Sequence, residues 1–212
     1  DILSDITKLY SHNANVDRVN NEALDRLLGR PVVFSMTAKG RDVIVASIKK
    51  SCLSPEELRL KEGAVVMFTK NSPQGKFVNG TLGRVEGFCK ETGHPIVRTH
   101  DGYIIKATPM EWMVEENGKV LARIEQVPLR LAWAITIHKS QGTSLDTAVI
   151  DLANAFEFGQ GYVALSRVRR FSGIYLLGYN ERALCVHPNM LVCDQIFHEQ
   201  SDKAMVDLAG MS

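Results

Sequence analysis

The stretch Ala134-Ile-Thr-Ile-His-Lys-Ser-Gln-Gly-Thr143 decides how the rest of this 212-residue chain is read. An apolar run arrives from Leu131 and ends in hydroxyls, an imidazole, a cation and a glycine. A strand that terminates this way combines hydrogen-bond donors with close backbone approach. Those are the groups that hold phosphate oxygens where a strand gives way to a helix. The same string also fits an ordinary solvated strand-to-helix turn. Either reading puts a buried strand ahead of the turn.

Downstream, Ala148 to Leu152 reads as a second buried strand, Gly159 to Arg167 as a helix, and Gly173 to Leu177 as a third buried strand. A terminal helix follows from Asn189. In Gln160-Gly-Tyr-Val-Ala-Leu-Ser-Arg-Val-Arg-Arg170, one helix face suits packing and Arg167 stands at the helix end. An arginine held there either stabilises charge on a transferring phosphoryl group or caps the helix and favours its dipole. Tyr162 suits either a core position or a supporting role at such a site.

Upstream, Ile6 to Ser11 reads as a short strand. Val16, Val19, Ala23, Leu24 and Leu27 then recur at helical spacing, with Asn13 as the expected N-cap and Gly29 as the stop. Pro31 to Thr37 reads as a strand, and Ser54-Pro-Glu-Glu57 has the capping-box pattern of a helix start. From Gly63 to about Gln126 the apolar runs become short and β-branched. Turn signals at Glu91-Thr-Gly93, Asp101-Gly102 and Asn117-Gly118 predict a meander of small antiparallel strands, as in a little barrel. The frame is therefore α/β, interrupted by a β insert.

Composition narrows the function classes. Hydrophobic residues at 45% and charged residues at 23% describe an ordinary packed domain and exclude a disordered chain. Lys+Arg 25 against Asp+Glu 24 gives a net charge of +1, which excludes an all-over basic coat but not a local basic groove. Charge is in fact uneven: Arg30 to Lys50 holds five bases and one acid, whereas Glu181 to Ser212 holds five acids and two bases. No apolar run approaches the roughly 18 residues of a membrane span. Cys52, Cys89, Cys185 and Cys193 form no CxxC pair and read as reduced thiols, so a cytoplasmic protein is expected, or a nuclear or mitochondrial one in a eukaryote. The first ten residues carry Asp1, Asp5 and Lys8 and do not read as a signal peptide. The sequence opens at Asp1 without methionine, and we expect a piece of a longer chain.

Several strings together resemble one family. Ile137-His-Lys-Ser-Gln-Gly142 resembles motif V, and Tyr162-Val-Ala-Leu-Ser-Arg167 motif VI, of RecD-like superfamily 1 helicases. Leu9-Tyr-Ser-His-Asn-Ala-Asn-Val-Asp-Arg-Val-Asn20 looks like motif IV. Gln126-Val-Pro-Leu-Arg-Leu-Ala-Trp-Ala134 resembles the usual run into motif V, and Val78-Asn-Gly-Thr-Leu-Gly-Arg-Val85 the approach to the insert. The order of these motifs is most similar to the PIF (petite integration frequency) family, over nearly the whole chain. No G-x-x-x-x-G-K-[ST] string occurs: Gly75-Lys76 is followed by Phe77, and Lys70 stands where the first glycine belongs. No Asp-Glu pair closes an apolar strand either.

The resemblance implies an α/β fold: a RecA-like, P-loop-NTPase-type second motor domain that lacks its own P-loop, carrying a small Src-homology-3-like antiparallel β-barrel. Its expected extents are 1–80 and 127–212 for the motor domain and 81–126 for the barrel. The implied function is the C-terminal motor domain of an ATP-dependent 5′-to-3′ DNA helicase, inactive alone. ATP and Mg²⁺ would be bound mainly by an N-terminal RecA-like domain of the same parent chain. Arg167 would be the arginine finger, Gln141 would act beside it, and Gly142 and Gln160 would lie near the nucleotide. Thr136, His138, Lys139, Ser140, His12 and Asn13 would contact single-stranded DNA. Asn79, in a hairpin beside the insert, is either another DNA contact or a plain turn. No metal ligand set is expected in the chain itself, since His138 has no second His or Cys at ligand spacing. Trp112 reads as a half-buried barrel residue more readily than as a base-stacking platform. Two other classes fit: a nucleic-acid-binding module without catalysis, and the helicase subunit of a RecD-type exonuclease complex. A pure binder has no need of Arg167, Gly142 and Gln141.

Overall fold

The computed structural model describes residues 6–209 and is a mixed α/β fold. A four-stranded sheet is ordered β12-β1-β13-β14, built from β1 (Lys8–Tyr10), β12 (Ala134–Thr136), β13 (Ala148–Leu152) and β14 (Ile174–Tyr179). Every pairing in it is parallel, with Leu9 opposite Ile135 on one side and Ile150 on the other. These three side chains are fully buried, as expected of a parallel sheet with both faces covered. Helix α1 (Asn13–Arg26) leaves β1 and buries Val16, Asn20 and Leu24.

Asn20 is the polar residue on that buried stripe. Its Nδ2 donates to the Ala134 carbonyl at 2.8 Å and its Oδ1 accepts from the Ala134 amide at 2.9 Å. β12 lies at the edge of the sheet, and the Asn20 amide supplies the donor and acceptor that a further strand would have provided.

Between α1 and β12 the chain is largely antiparallel, with one helix, α2 (Asp42–Ser51). β2 (Val32–Ser35) pairs with β4 (Glu57–Leu60). β3 (Thr37–Gly40), β9 (Met110–Glu116) and β10 (Lys119–Gln126) form a sheet ordered β3-β10-β9. β5 (Val65–Phe68), β6 (Leu82–Phe88), β7 (Pro95–Thr99), β8 (Ile104–Lys106) and β11 (Leu129–Leu131) form another, ordered β11-β5-β6-β7-β8. Antiparallel pairing therefore runs well outside 81–126. β5 is buried at all four positions and shares one core with the parallel sheet, so that boundary does not mark a break in packing. Gln126, 3% exposed, ties the region together: its Nε2 reaches the carbonyls of Phe34 (3.1 Å), Pro55 (2.9 Å) and Glu56 (3.2 Å). Trp112 packs with Ile48, Ala122 and Ile124, and Lys70 lies 4.7 Å from its ring centroid.

The structure corrects three local expectations. Ser54 to Glu57 does not start a helix. Glu57–Leu60 alternates exposed and buried side chains, with Leu58 and Leu60 inward, and this period of two prevails over the cap pattern. Ser54 is buried instead, with its hydroxyl 2.6 Å from that of Thr69. Asn13 is the first residue of α1, whose N-cap position is His12 without a capping side chain. β14 is an edge strand with Tyr175, Leu176 and Leu177 exposed, not a buried one.

After β13, α3 (Gln160–Leu165) packs on α4 (Glu181–Leu184). A Cβ on Gly161 would lie 2.2 Å from the Ala183 carbonyl, so only glycine permits that approach. Helix α5 (Pro188–Ala209) closes the described chain. Among the described residues no helix is long and apolar enough to cross a membrane.

Replacing Asn20 with Leu should lower stability by about 3 kcal/mol, because two hydrogen bonds go and the buried Ala134 amide and carbonyl lose their partners. Urea unfolding measures this. A loss under about 1 kcal/mol would mean that the sheet edge does not depend on the amide.

Candidate functional site

The turn after β12 is made by its own hydroxyls. Ser140 Oγ donates to the Ile137 carbonyl and Thr143 Oγ1 to the Ser140 carbonyl, both at 2.6 Å. The Lys139 amide donates to Thr136 Oγ1 at 3.3 Å. Thr136, Ser140 and Thr143 are all buried, so their side chains shape the loop from behind. The expected helix start is a single 3-10 turn, His138–Ser140. The side chains it presents outward are His138, Gln141 and, half-buried, Lys139, and Gly142 follows them at the surface with φ +80°.

His138 meets residues that sequence reasoning passed over. Its Nε2 lies 2.7 Å from Glu157 Oε2. The His12 ring stacks on Phe156 with centroids 4.8 Å apart, and His12 Nε2 lies 3.1 Å from the Asn154 carbonyl oxygen. Phe156 is 45% exposed and also lies 6.2 Å from the His138 ring. The ends of β1, β12 and β13 therefore converge at one rim, the carboxyl edge where parallel sheets generally bind ligands. The available signal was position: Phe156 and Glu157 follow a buried strand just as His138 does. Asn13, exposed at the start of α1, adjoins this rim.

The second group forms where α3 ends. Arg167 Nε donates to the Val163 carbonyl at 2.9 Å, Nη2 to Ser166 Oγ at 2.9 Å and Nη1 to the Thr143 carbonyl at 3.4 Å. The guanidinium thus caps its own helix and bridges to the end of the 134–143 stretch. Backbone bonds reinforce the join: the Leu145 amide reaches the Arg167 carbonyl at 2.8 Å, and the Arg169 amide the Leu145 carbonyl at 2.9 Å. Gln160 is 2% exposed; its Oε1 accepts from the Phe156 amide at 3.0 Å, and its Nε2 has no partner. Gln160 therefore links this helix to the rim. Tyr162 is 78% exposed, which removes its core reading.

Asn79 stands apart from the His12 and His138 rim. It lines a cleft of about 270 Å³ with Gly80, His100, Gly142, Asp146 and Arg169. Its amide donates to Asn71 Oδ1 at 2.8 Å, while its own Oδ1 is buried without a partner. Gly80, at φ +93°, packs on Thr143, and a Cβ there would lie 2.6 Å from Thr143 Cγ2. Among the described residues no three His, Cys, Asp or Glu side chains converge as a metal site.

Lys139 is the electrostatic exception at the turn. Burial, and then the positive charge of Arg130, hold its ammonium below the usual lysine range, with Asp17 opposing.

Gly80→Ala should cost about 3 kcal/mol, combining left-handed strain with the clash at Thr143, whereas Gly75→Ala, with open space around it, should cost about 1 kcal/mol. Equal unfolding midpoints for the two variants would contradict the close approach.

A family model for the 2B domain of the DNA helicase Pif1 matches residues 44–88. The ATP-dependent DNA helicase Pif1 of Psychrobacter sp. (strain PRwf-1) is 38% identical over 248 residues, covering 93% of this chain and 38% of that protein. The Xenopus laevis PIF1 helicase is 36% identical, covering 94% of this chain and 31% of that protein. Unliganded Pif1 from Bacteroides sp. superposes with a TM-score of 0.79 at 26% identity, over 93% of this chain and 46% of that one. Bacteroides Pif1 in complex with ADP-AlF3 and single-stranded DNA gives 0.67 at 27% identity, over 93% and 46%. The chain thus spans less than half the length of each of these relatives, while each match takes in nearly all of the chain. On sequence and fold together, the chain belongs to the Pif1 helicase family.

Proposed function

We propose that this chain is the C-terminal motor half of an ATP-dependent DNA helicase, acting on nucleotide held by an N-terminal RecA-like domain of the same parent. The parallel sheet with α1, α3 and α4 is read as the RecA-like body. The antiparallel strands between α1 and β12 are read as the inserted unit, of Src-homology-3-like kind, wider than 81–126 at both ends. The observation that carries the proposal is the join between the 134–143 turn and Arg167. Backbone bonds between Leu145 and Arg167 and between Arg169 and Leu145, with the Arg167 guanidinium on the Thr143 carbonyl, link the candidate nucleotide-facing group to the candidate DNA-facing groups. The names of the relatives and the nucleotide and DNA bound to Bacteroides Pif1 support it.

In this reading Arg167 is the arginine finger. When the two halves close on ATP, its guanidinium turns from the Val163 and Thr143 carbonyls to the transferring phosphoryl group, where a planar five-donor cation stabilises spreading negative charge. Gln141 and Gly142 stand at the other end of the same join and sense the phosphate. Gln160 transmits the change to the Phe156 loop. Mg²⁺ bound with ATP would neutralise the phosphates, and its ligands would come from the other half. His12, Asn13, His138, Lys139 and Asn79 contact the phosphates of single-stranded DNA. Thr136 and Ser140 hold the loop that presents them. Binding of this kind is nearly sequence-blind and weakens with salt. The 5′-to-3′ direction rests on family membership alone, whereas placement in the cytoplasm, or in the nucleus or mitochondrion of a eukaryote, rests on reading the four cysteines as reduced thiols.

The isolated chain should show no DNA-stimulated ATP turnover, since its sequence lacks G-x-x-x-x-G-K-[ST]; turnover above a blank would contradict the proposal. In the full-length parent, Arg167→Ala should lower kcat on the order of 10³-fold while single-stranded DNA affinity stays within about twofold. Retained turnover would make Arg167 a helix cap only, and would favour the reading of a non-catalytic binding module.

A further inference from the structure

A cavity of about 440 Å³ lies between α1, the 52–57 segment and β11, and Arg130 and Lys139 both line it. Arg130 is 9% exposed. Its Nε has no partner, and the one hydrogen bond its side chain makes among the described residues is a long one, 3.5 Å from Nη1 to the Leu53 carbonyl. Asp17, Glu56, Glu57, Lys49, Lys50 and Arg59 also line the cavity, but Glu56 is taken by Lys49 at 2.6 Å, and neither Arg130 nor Lys139 forms an ion pair among the described residues. Asp17 acts on both cations only at a distance. The two cations also repel one another: Arg130 pushes the Lys139 ammonium down, second only to burial. A buried guanidinium without a carboxylate costs several kcal/mol, and a second cation held beside it adds to that. An anion between them would satisfy the free Nε donor and remove the repulsion.

We propose that Arg130 and Lys139 together bind one phosphate, a phosphodiester of the single strand, and that the strand passes from the 134–143 turn into this cavity. Asn21 lines the same wall and offers a neutral polar contact beside it, while the Asn20 amide stays on Ala134. The inference rests on the reading of Lys139 as a DNA contact. It adds Arg130, which lies outside the turn, and a shared anion site. A planar guanidinium suits two phosphate oxygens and an ammonium suits a third.

Anisotropy of a labelled 12-nucleotide oligo-dT strand, titrated with the 212-residue chain across a salt series, tests this. Arg130→Met should bind about tenfold more weakly at low salt, as loss of a charge-assisted contact predicts. Its log K against log[salt] slope should be shallower by up to about 0.7, the share of one phosphate on a single strand. Its thermal midpoint should not fall, since an uncompensated buried charge has gone. The Arg130→Met/Lys139→Gln double variant should lose about 0.7 in slope, not about 1.4, because both cations hold the same phosphate.

If Lys139→Gln weakens binding and Arg130→Met does not, the reading of Lys139 stands and this inference is overturned. If Lys139→Gln binds as wild type, both fall. A lower midpoint for Arg130→Met with an unchanged slope would make Arg130 structural and overturn the site. Inorganic phosphate, compared with chloride at equal ionic strength, should leave the wild-type midpoint unchanged. A rise seen in wild type and lost in Arg130→Met would assign the cavity to free phosphate and overturn the phosphodiester.

Discussion

The amide of Asn20 sets the geometry on which the candidate site depends. β12 is an edge strand of three residues, too short to hold its position by pairing on one side. The two hydrogen bonds from Asn20 to Ala134 complete its open edge from within helix α1. The turn at His138 begins two residues after that strand ends, so any tilt of β12 would swing His138 and Lys139 directly. Thr7 supports the same place by donating to the Ala132 carbonyl at 3.0 Å. Stability and site geometry therefore share one contact.

Charge is organised on the same principle of local completion. The net charge of +1 gives no general field to draw a polyanion. Several surface cations are matched by neighbours, as in Arg18 with Glu22, Arg98 with Glu86 and Arg123 with Glu111. Exposed pairs of this kind add little stability, but they neutralise the surface. Arg130 and Lys139 are different: Arg130 is buried, Lys139 is half-buried, and neither has an ion-pair partner among the described residues. In the proposed reading, attraction for phosphate is concentrated at a few points rather than spread over the surface.

The frame was legible wherever one strong pattern acted alone. The apolar runs at Ala148–Leu152 and before His138 are strands, and the 3.6-residue stripe from Val16 to Leu24 is a helix. Reading failed where two patterns competed. Ser54-Pro55-Glu56-Glu57 carries cap residues, but the alternation of Leu58 and Leu60 dominates because it buries two large side chains. The expected bounds of 81–126 find no matching break in packing, because β5 belongs both to an antiparallel sheet and to the main core. The candidate site was legible as strings but not as contacts. The inward turn of the Thr136 and Ser140 hydroxyls follows from loop geometry, which spacing does not encode. Asn20 stood inside the quoted motif without a role, because only the fold brings it to a residue 114 positions away. Phe156, Glu157 and Arg130 belong to no such string; tertiary packing alone brings them to the rim and the cavity.

In the proposed motor cycle Arg167 leaves its helix cap to meet the nucleotide. A crystal structure of the full-length parent with an ADP–aluminium fluoride complex and single-stranded DNA tests it most directly. The expected result is an Arg167 guanidinium released from the Val163 and Thr143 carbonyls and lying about 3 Å from the phosphoryl mimic. An Arg167 still bonded to both carbonyls, with the mimic contacted by other residues alone, would contradict it.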